Sequence, residues 1–145
     1  MYQWMAKRGI LLLRISIGIV FFWFGIQKFF PGLSSAEELA SRTIETMSFG
    51  LIQQQVSMPI LATWEVLIGL LFIFGYRMRL ALPLLFVQML GTIMPLFLFP
   101  AETFVPPPLV PTLIGQYIIK NIVIVTGAMV VGAHHMGFYG HKGKS

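Results

Sequence analysis

Residues 59–74 read PILATWEVLIGLLFIF, an apolar run with one carboxylate, Glu65, inside it. The other acidic side chains lie in polar connecting segments, at Glu37, Glu38, Glu45 and Glu102. Placing a carboxylate in the hydrocarbon layer of a bilayer costs roughly 2.5 to 3.5 kcal/mol on insertion scales. We therefore expect Glu65 to face a polar partner or a wet cavity, which makes it the first candidate for a functional site.

The composition of the whole chain is that of an integral membrane protein. Its 145 residues are 57% hydrophobic and 10% charged, with a mean hydropathy of +0.82, which is more apolar surface than a soluble domain of this size can bury. Four segments have the length and hydrophobicity of membrane spans, at about residues 10–30, 59–76, 80–99 and 113–132. They lack the alternation of barrel strands. The sequence thus predicts one all-α membrane domain over residues 1–145, built as a four-helix bundle.

The basic residues that flank these spans fall on one side of the membrane. They are Lys7, Arg8, Arg77, Arg79, Lys142 and Lys144. The loops on the opposite side carry only Arg42, so the positive-inside rule places both termini in the cytoplasm. This arrangement accounts for the net charge of +5 through topology and lipid headgroups. We expect the lipid bilayer as a partner, and no nucleic acid.

The first outer loop has a helical pattern of its own. Between about residues 35 and 49, apolar side chains such as Leu39 and Ile44 share one face, and charged side chains such as Glu38 and Arg42 share the other. The pattern predicts an amphipathic interfacial helix over the outer end of the bundle. Whether this helix is a plain connector or a lid over a site is left open.

Two prolines interrupt the third span. Pro83 and Pro95 each remove a backbone donor from the helix, so this span is expected to be the irregular one.

Polar side chains and glycines recur on one stripe of three spans. In the first span the stripe holds Gly18, Gly25 and Lys28, with Arg14 near the cytoplasmic boundary, where we expect it to snorkel. In the second span Glu65 is followed by a glycine one turn later, and in the fourth Gln116, Lys120 and Gly127 share a face. Each of the three spans therefore carries a charged residue and a glycine on the same face.

The charged residues of this set are expected at similar depths in the membrane. At about 1.5 Å per residue, Lys28, Glu65 and Lys120 all fall in the outer half of the bundle. Gln88, near the middle of the third span, is placed to join them from the fourth side. The sequence therefore predicts one cluster formed by all four spans.

Two lysines and one carboxylate leave this predicted cluster with a surplus of positive charge. A quinone carbonyl or an anion would accept hydrogen bonds from the lysines, with Glu65 as counter-ion or proton relay. On this interpretation the catalytic residues are Glu65 and Lys120. The cofactor-binding residues are Lys28, Trp64, Glu65, Gln88, Gln116 and Lys120. The structural alternative is a buried ion-pair network that fixes helix register.

The residue types that hold most redox cofactors are missing from the predicted spans. The chain has no cysteine, which excludes iron–sulfur ligation and thiolate metal sites by this chain. Its histidines, His134, His135 and His141, follow the fourth span, so we predict neither a haem between facing helices nor a metal site. Any redox role must therefore use a quinone or a partner's cofactor.

Taken together, these positions resemble the DoxX family. The resemblance rests on Leu12-Leu13-Arg14 with Gly18, Gly25 and Lys28, on Trp64-Glu65 with Gly69 and Gly75, and on the run QYIIKN at residues 116–121. It extends from about residue 11 to residue 132. It implies a multi-pass four-helix protein of a prokaryotic inner membrane.

The resemblance implies two functions and does not choose between them. DoxX-like and DoxD-like proteins are associated with quinone-linked oxidation of sulfur compounds and with membrane oxidoreductase assemblies, which implies a quinone-interacting or redox-associated subunit with a bound or partner cofactor. A related eukaryotic branch is linked to assembly of other membrane proteins, which implies a non-catalytic accessory subunit of a larger respiratory or oxidoreductase complex. The expected partners are accordingly a larger membrane complex or further copies of the chain.

Overall fold

The structure, a computed structural model, describes residues 1–34, 37–105 and 109–137, and these residues are helical apart from loops and one isolated bridge. In chain order the helices are α1 (Tyr2–Gln27), α2 (Glu37–Met47), α3 (Gln54–Phe74), α4 (Met78–Ile93), α5 (Pro95–Leu98), α6 (Pro100–Thr103) and α7 (Leu113–His135). Four helical stretches are long and apolar enough to cross a membrane: Tyr2–Gln27, Gln54–Phe74, Met78–Leu98 and Leu113–His135. The predicted all-α fold with four spans is confirmed, and the protein is a multi-pass membrane protein.

Two of the long helices begin earlier than the apolar runs that predict them. α1 begins at Tyr2 and α3 at Gln54, whereas hydropathy places the two spans from about residues 10 and 59. A hydropathy window detects the part of a helix that matches the hydrocarbon layer, while backbone hydrogen bonding continues through polar residues such as Lys7 and Gln55.

The four spans form a ring. α1 packs against α3 and α7, and α4 packs against the same two helices, which gives the order α1, α3, α4, α7 around the bundle. Consecutive spans run in opposite directions. The end of the bundle at which α2 lies is termed the α2 end, and the opposite end, which holds the turn between α3 and α4, is termed the turn end. Side chains such as Ile68, Phe72, Leu85 and Val131 fill the core between the helices.

The contact between α1 and α3 is built on glycines. A side chain at Gly69 would begin 2.5 Å from the backbone nitrogen of Phe22 and 2.8 Å from the carbonyl oxygen of Gly18. A side chain at Gly18 would begin 2.7 Å from the backbone nitrogen of Ile73. These separations leave no room for a methyl group, so the two backbones pack directly, as small residues permit between membrane helices.

The third span is divided at a proline. α4 ends at Ile93 and α5 begins at Pro95, with Met94 between them. Pro95 lacks the N–H that would continue the hydrogen-bond ladder of α4, and it occupies the first position of the next helix instead. The irregularity expected for this span therefore occurs at Pro95, whereas α4 continues through Pro83.

α2 lies against α3, α4 and α5 and occupies most of the predicted interval 35–49, of which residues 35 and 36 lie outside the described residues. Leu39, on its apolar face, is buried, as are Ser41 and Thr43. Glu37 fixes its first turn: Oε2 accepts a hydrogen bond from the backbone nitrogen of Gly32 at 2.8 Å, and Oε1 accepts one from Gln54 Nε2 at 3.0 Å. α2 is thereby tied both to the preceding turn and to the start of α3.

The glycine contact predicts a strong effect of a single methyl group. We expect Gly69→Ala to lower the free energy of unfolding by about 1 to 3 kcal/mol, because α1 and α3 must separate to admit the new Cβ. Thermal unfolding in detergent, followed by circular dichroism, measures the change.

The matched control is Gly91→Ala in α4, where an added Cβ meets nothing within 4 Å. Its stability is expected to be unchanged or raised, since alanine favours a helix over glycine. Equal losses in the two variants would refute the packing argument.

Candidate functional site

Glu65 is held by side chains from two other helices. Its carboxylate, buried on α3 with the residue only 7% exposed, accepts a hydrogen bond from Lys28 Nζ at 2.6 Å through Oε2. Its other oxygen, Oε1, accepts a hydrogen bond from Gln88 Nε2 at 2.8 Å. Lys28 caps the C-terminus of α1 and Gln88 lies on α4. The three residues, termed here the Glu65 cluster, therefore join α1, α3 and α4.

The local sequence explains how Lys28 reaches this position. Gly25, three residues earlier, allows α1 to lie so close to α3 that a Cβ at Gly25 would be 3.0 Å from the Cβ of Glu65. Lys28 Nζ then reaches Glu65 and also donates to the carbonyl oxygen of Phe24 at 3.4 Å. In the described residues no buried polar side-chain atom lacks a hydrogen-bond partner. The Glu65 cluster is accordingly a charge-neutral ion pair whose carboxylate also accepts a hydrogen bond from an amide.

Gln88 also lines a groove on the outside of the bundle. This groove, between α2, α3 and α4 at the α2 end, has a volume of about 210 Å³. The residues that line it are mostly apolar: Ile44, Ile52, Ser57, Ile60, Leu61, Trp64, Val87 and Gln88. Trp64 is fixed in its wall because Nε1 donates a hydrogen bond to the carbonyl oxygen of Leu84 at 3.1 Å. One amide thus touches both the groove and the buried carboxylate.

Lys120 and Gln116, the two candidate residues on α7, lie away from this cluster. Both side chains are exposed, and Lys120 Nζ lies 5.5 Å from the ring centre of Tyr117. Although Gly127 falls on the same stripe as Lys120, α1 covers that stripe only near Gly127, where Leu13 approaches. Among the described residues Glu65 therefore has one cationic partner, Lys28, and the positive surplus expected beside it is not formed.

Arg14 lies at the turn end, in agreement with its predicted position near one boundary of the first span. There it contacts the residue that ends α3, Gly75. Gly75 ends α3 in the left-handed conformation, with φ of 68°. The Arg14 guanidinium occupies the space in which a side chain at Gly75 would begin. A cation at the C-terminal end of a helix is stabilised by the helix dipole. Arg14 therefore packs onto the end of α3, a contact that sequence reasoning missed.

Sequence reasoning also missed the groove and a second ion pair. No local sequence pattern indicates the groove, whose lining includes the buried Ser57 at the start of α3. The ion pair joins Arg42 Nη1 of α2 to Glu102 Oε1 of α6 at 2.8 Å, and the guanidinium stacks 4.5 Å from the ring centre of Phe99. Within the described ranges, no group of three or more His, Cys, Asp or Glu side chains is placed to hold a metal ion.

These features define a small multi-pass helical membrane protein with an ion pair buried among its spans. The chain belongs to the DoxX family: the profile of that family, described as DoxX, matches residues 9–100. The match includes Lys28, Glu65 and Gln88 and ends before α7. No curated protein and no solved structure has a significant similarity to the chain.

The buried pair predicts a large loss when one partner is removed. We expect Glu65→Ala to lower the free energy of unfolding by about 3 to 5 kcal/mol, because it leaves the ammonium of Lys28 without a counter-ion in an apolar setting. The double variant Lys28→Met/Glu65→Leu should recover most of that loss, since neither charge remains. Unfolding in detergent measures both.

The control is the exposed pair of α2 and α6, whose side chains are 42% and 41% exposed, against 9% and 10% for Lys28 and Glu65. Glu102→Ala should lower the free energy of unfolding by about 0 to 1 kcal/mol. If the double variant is as unstable as Glu65→Ala, the loss of stability does not come from the unpaired charge of Lys28.

Proposed function

We propose that the protein is a quinone-interacting membrane subunit of a redox assembly in a prokaryotic inner membrane. The observation that carries the proposal is the position of Gln88, which donates to Glu65 and also lines an apolar groove beside the bilayer. Membership in the DoxX family supports it, because the resemblance to DoxX-like proteins implies a role in quinone-linked oxidation.

The lining of the groove supports a quinone head as its ligand. Such a head is a flat, apolar ring with carbonyl acceptors, and the groove has apolar walls, the indole of Trp64 and one carboxamide. A glutamine amide has two N–H donors, so Gln88 has a second donor beside the one that bonds Glu65. The volume of about 210 Å³ is below that of pockets that enclose a whole drug-sized ligand, roughly 300 to 1,000 Å³. It suits a ring whose isoprenoid tail stays in the lipid.

In this proposal the residues of the chain bind the quinone and exchange protons. A bound quinone supplies the redox chemistry, taking up two electrons and two protons on full reduction. Gln88 orients a carbonyl through its second N–H. The carboxyl group of Glu65 takes up and releases a proton, and Lys28 stabilises its ionised form. The electrons come from a partner subunit's cofactor. Lys120 and Gln116 take no part at this site.

The same proposal includes an orientation of the bundle. The basic residues of the turn end and the α1 start support a cytoplasmic location of both termini through the positive-inside rule. The Glu65 cluster and the groove, which lie toward the α2 end, then open to the outer leaflet.

The alternative is an accessory subunit that binds no quinone. The observation that favours it is the saturation of Glu65, both of whose oxygens already accept a hydrogen bond from within the chain. A saturated cluster suits a structural role, in which it holds α1, α3 and α4 in register for contact with other subunits.

Quinone binding tests the proposal directly. The purified protein in lipid nanodiscs is titrated with a short-chain ubiquinone and a short-chain menaquinone, and bound quinone is measured by equilibrium dialysis. Gln88→Leu should weaken binding about ten-fold, the effect of one lost hydrogen bond. Val87→Trp, at an exposed position that lines the groove, should abolish binding by filling it.

The matched control is Gln55→Leu, the same chemical change at an exposed position at the start of α3, which should bind as the wild type does. Thermal unfolding of each variant separates loss of the site from loss of the fold. A folded wild-type protein that binds neither quinone leaves the accessory role as the better account.

A further inference from the structure

The first two turns of α7 carry polar groups on an exposed surface of the bundle. Gln116, Tyr117 and Lys120 are exposed, with Tyr117 at 63%. Lys120 is the eighth residue of α7, about 10 Å from its start at 1.5 Å per residue. A charged side chain at such a depth requires a partner or a path to the polar boundary.

The described part of the chain does not supply an anion to Lys120. Its two ion pairs are Lys28 with Glu65 and Arg42 with Glu102. Glu37 accepts from Gly32 and from Gln54, at the start of α2. A second copy of the chain, placed symmetrically on this face, would bring Lys120 toward its own counterpart, and like charges repel.

The direction in which the Lys120 side chain extends indicates which kind of partner pairs with its charge. Lys120 Nζ lies over the ring of Tyr117, which is three residues nearer to the start of α7, so the side chain runs along the helix toward the α2 end. A lysine that extends in this way brings its ammonium to the headgroup layer instead of sideways toward a neighbouring helix. Gln116, on the same turn as Tyr117, adds an exposed carboxamide whose Nε2 is 3.5 Å from the carbonyl oxygen of Pro111.

We infer that Gln116, Tyr117 and Lys120 form a binding site for the phosphate of an anionic phospholipid at the α2 end of α7. The ammonium supplies the charge, and the amide and phenol supply further hydrogen-bond donors for phosphate oxygens. Tyr117, the fifth residue of α7, adds an aromatic ring of the kind that anchors helices at a membrane interface. This site is separate from the groove and does not depend on quinone binding.

Lipid retention by the full-length protein tests the inference. The protein in detergent is mixed with equal amounts of phosphatidylglycerol and phosphatidylcholine, and the lipids that stay bound are counted by native mass spectrometry. The wild type should retain phosphatidylglycerol in preference. Lys120→Met should lower that retention about five-fold, the contribution of one basic residue near a lipid surface, and Lys120→Arg should keep it.

The controls separate this site from general charge. Arg42→Met, which removes a cation that is already paired with Glu102 at 2.8 Å, changes the net charge equally and should leave the lipid preference unaltered. Equal retention of the two lipids by the wild type, or equal losses in Arg42→Met and Lys120→Met, would overturn the inference. So would a Lys120→Met protein that keeps its lipid and loses a bound acidic membrane subunit.

Discussion

The buried carboxylate of Glu65 is the constraint on which the arrangement of the bundle depends. In an apolar helix it needs donors, and the chain provides them from α1 through Lys28 and from α4 through Gln88. Lys28 reaches it because Gly18, Gly25 and Gly69 let the backbones of α1 and α3 touch. Electrostatics and packing therefore specify the same contact, since a bulkier stripe would move the lysine away from the acid.

Two of the polar regions toward the α2 end differ in how their polar groups are satisfied. The Glu65 cluster is buried, neutral and completed within the chain, and its member Gln88 also lines the groove. The α7 face is exposed and carries a lysine outside both ion pairs of the described residues. One region thus fixes the helices relative to one another, while the other depends on what surrounds the protein.

Much of this architecture could be predicted from the sequence because it depends on periodicity. Hydrophobic run lengths identified the four spans, and residue spacing put Gly18, Gly25 and Lys28 on one stripe, where the structure uses them. The position of Lys120 could not be predicted in the same way. The spacing of residues within a helix shows which side chains share a face, but not how far along that face a neighbouring helix extends.

Contacts between distant segments were also beyond the reach of local patterns. The groove exists because α2 folds back against α3 and α4, and no spacing within any one of these helices encodes it. The fit of Arg14 into the space at Gly75 likewise depends on the registry of α1 against the end of α3. A lone arginine and a lone glycine in two separate segments give no sign of such a match.

The order of the Glu65 cluster along the chain has a consequence for synthesis. Lys28 precedes Glu65 by 37 positions, and Gln88 follows it by 23. Because a chain emerges from its N-terminus, the lysine is already at the membrane when the acid arrives, and the amide comes last. The α1–α3 hairpin therefore carries its own counter-ion into the bilayer, and the acid need not wait for the rest of the protein to be made.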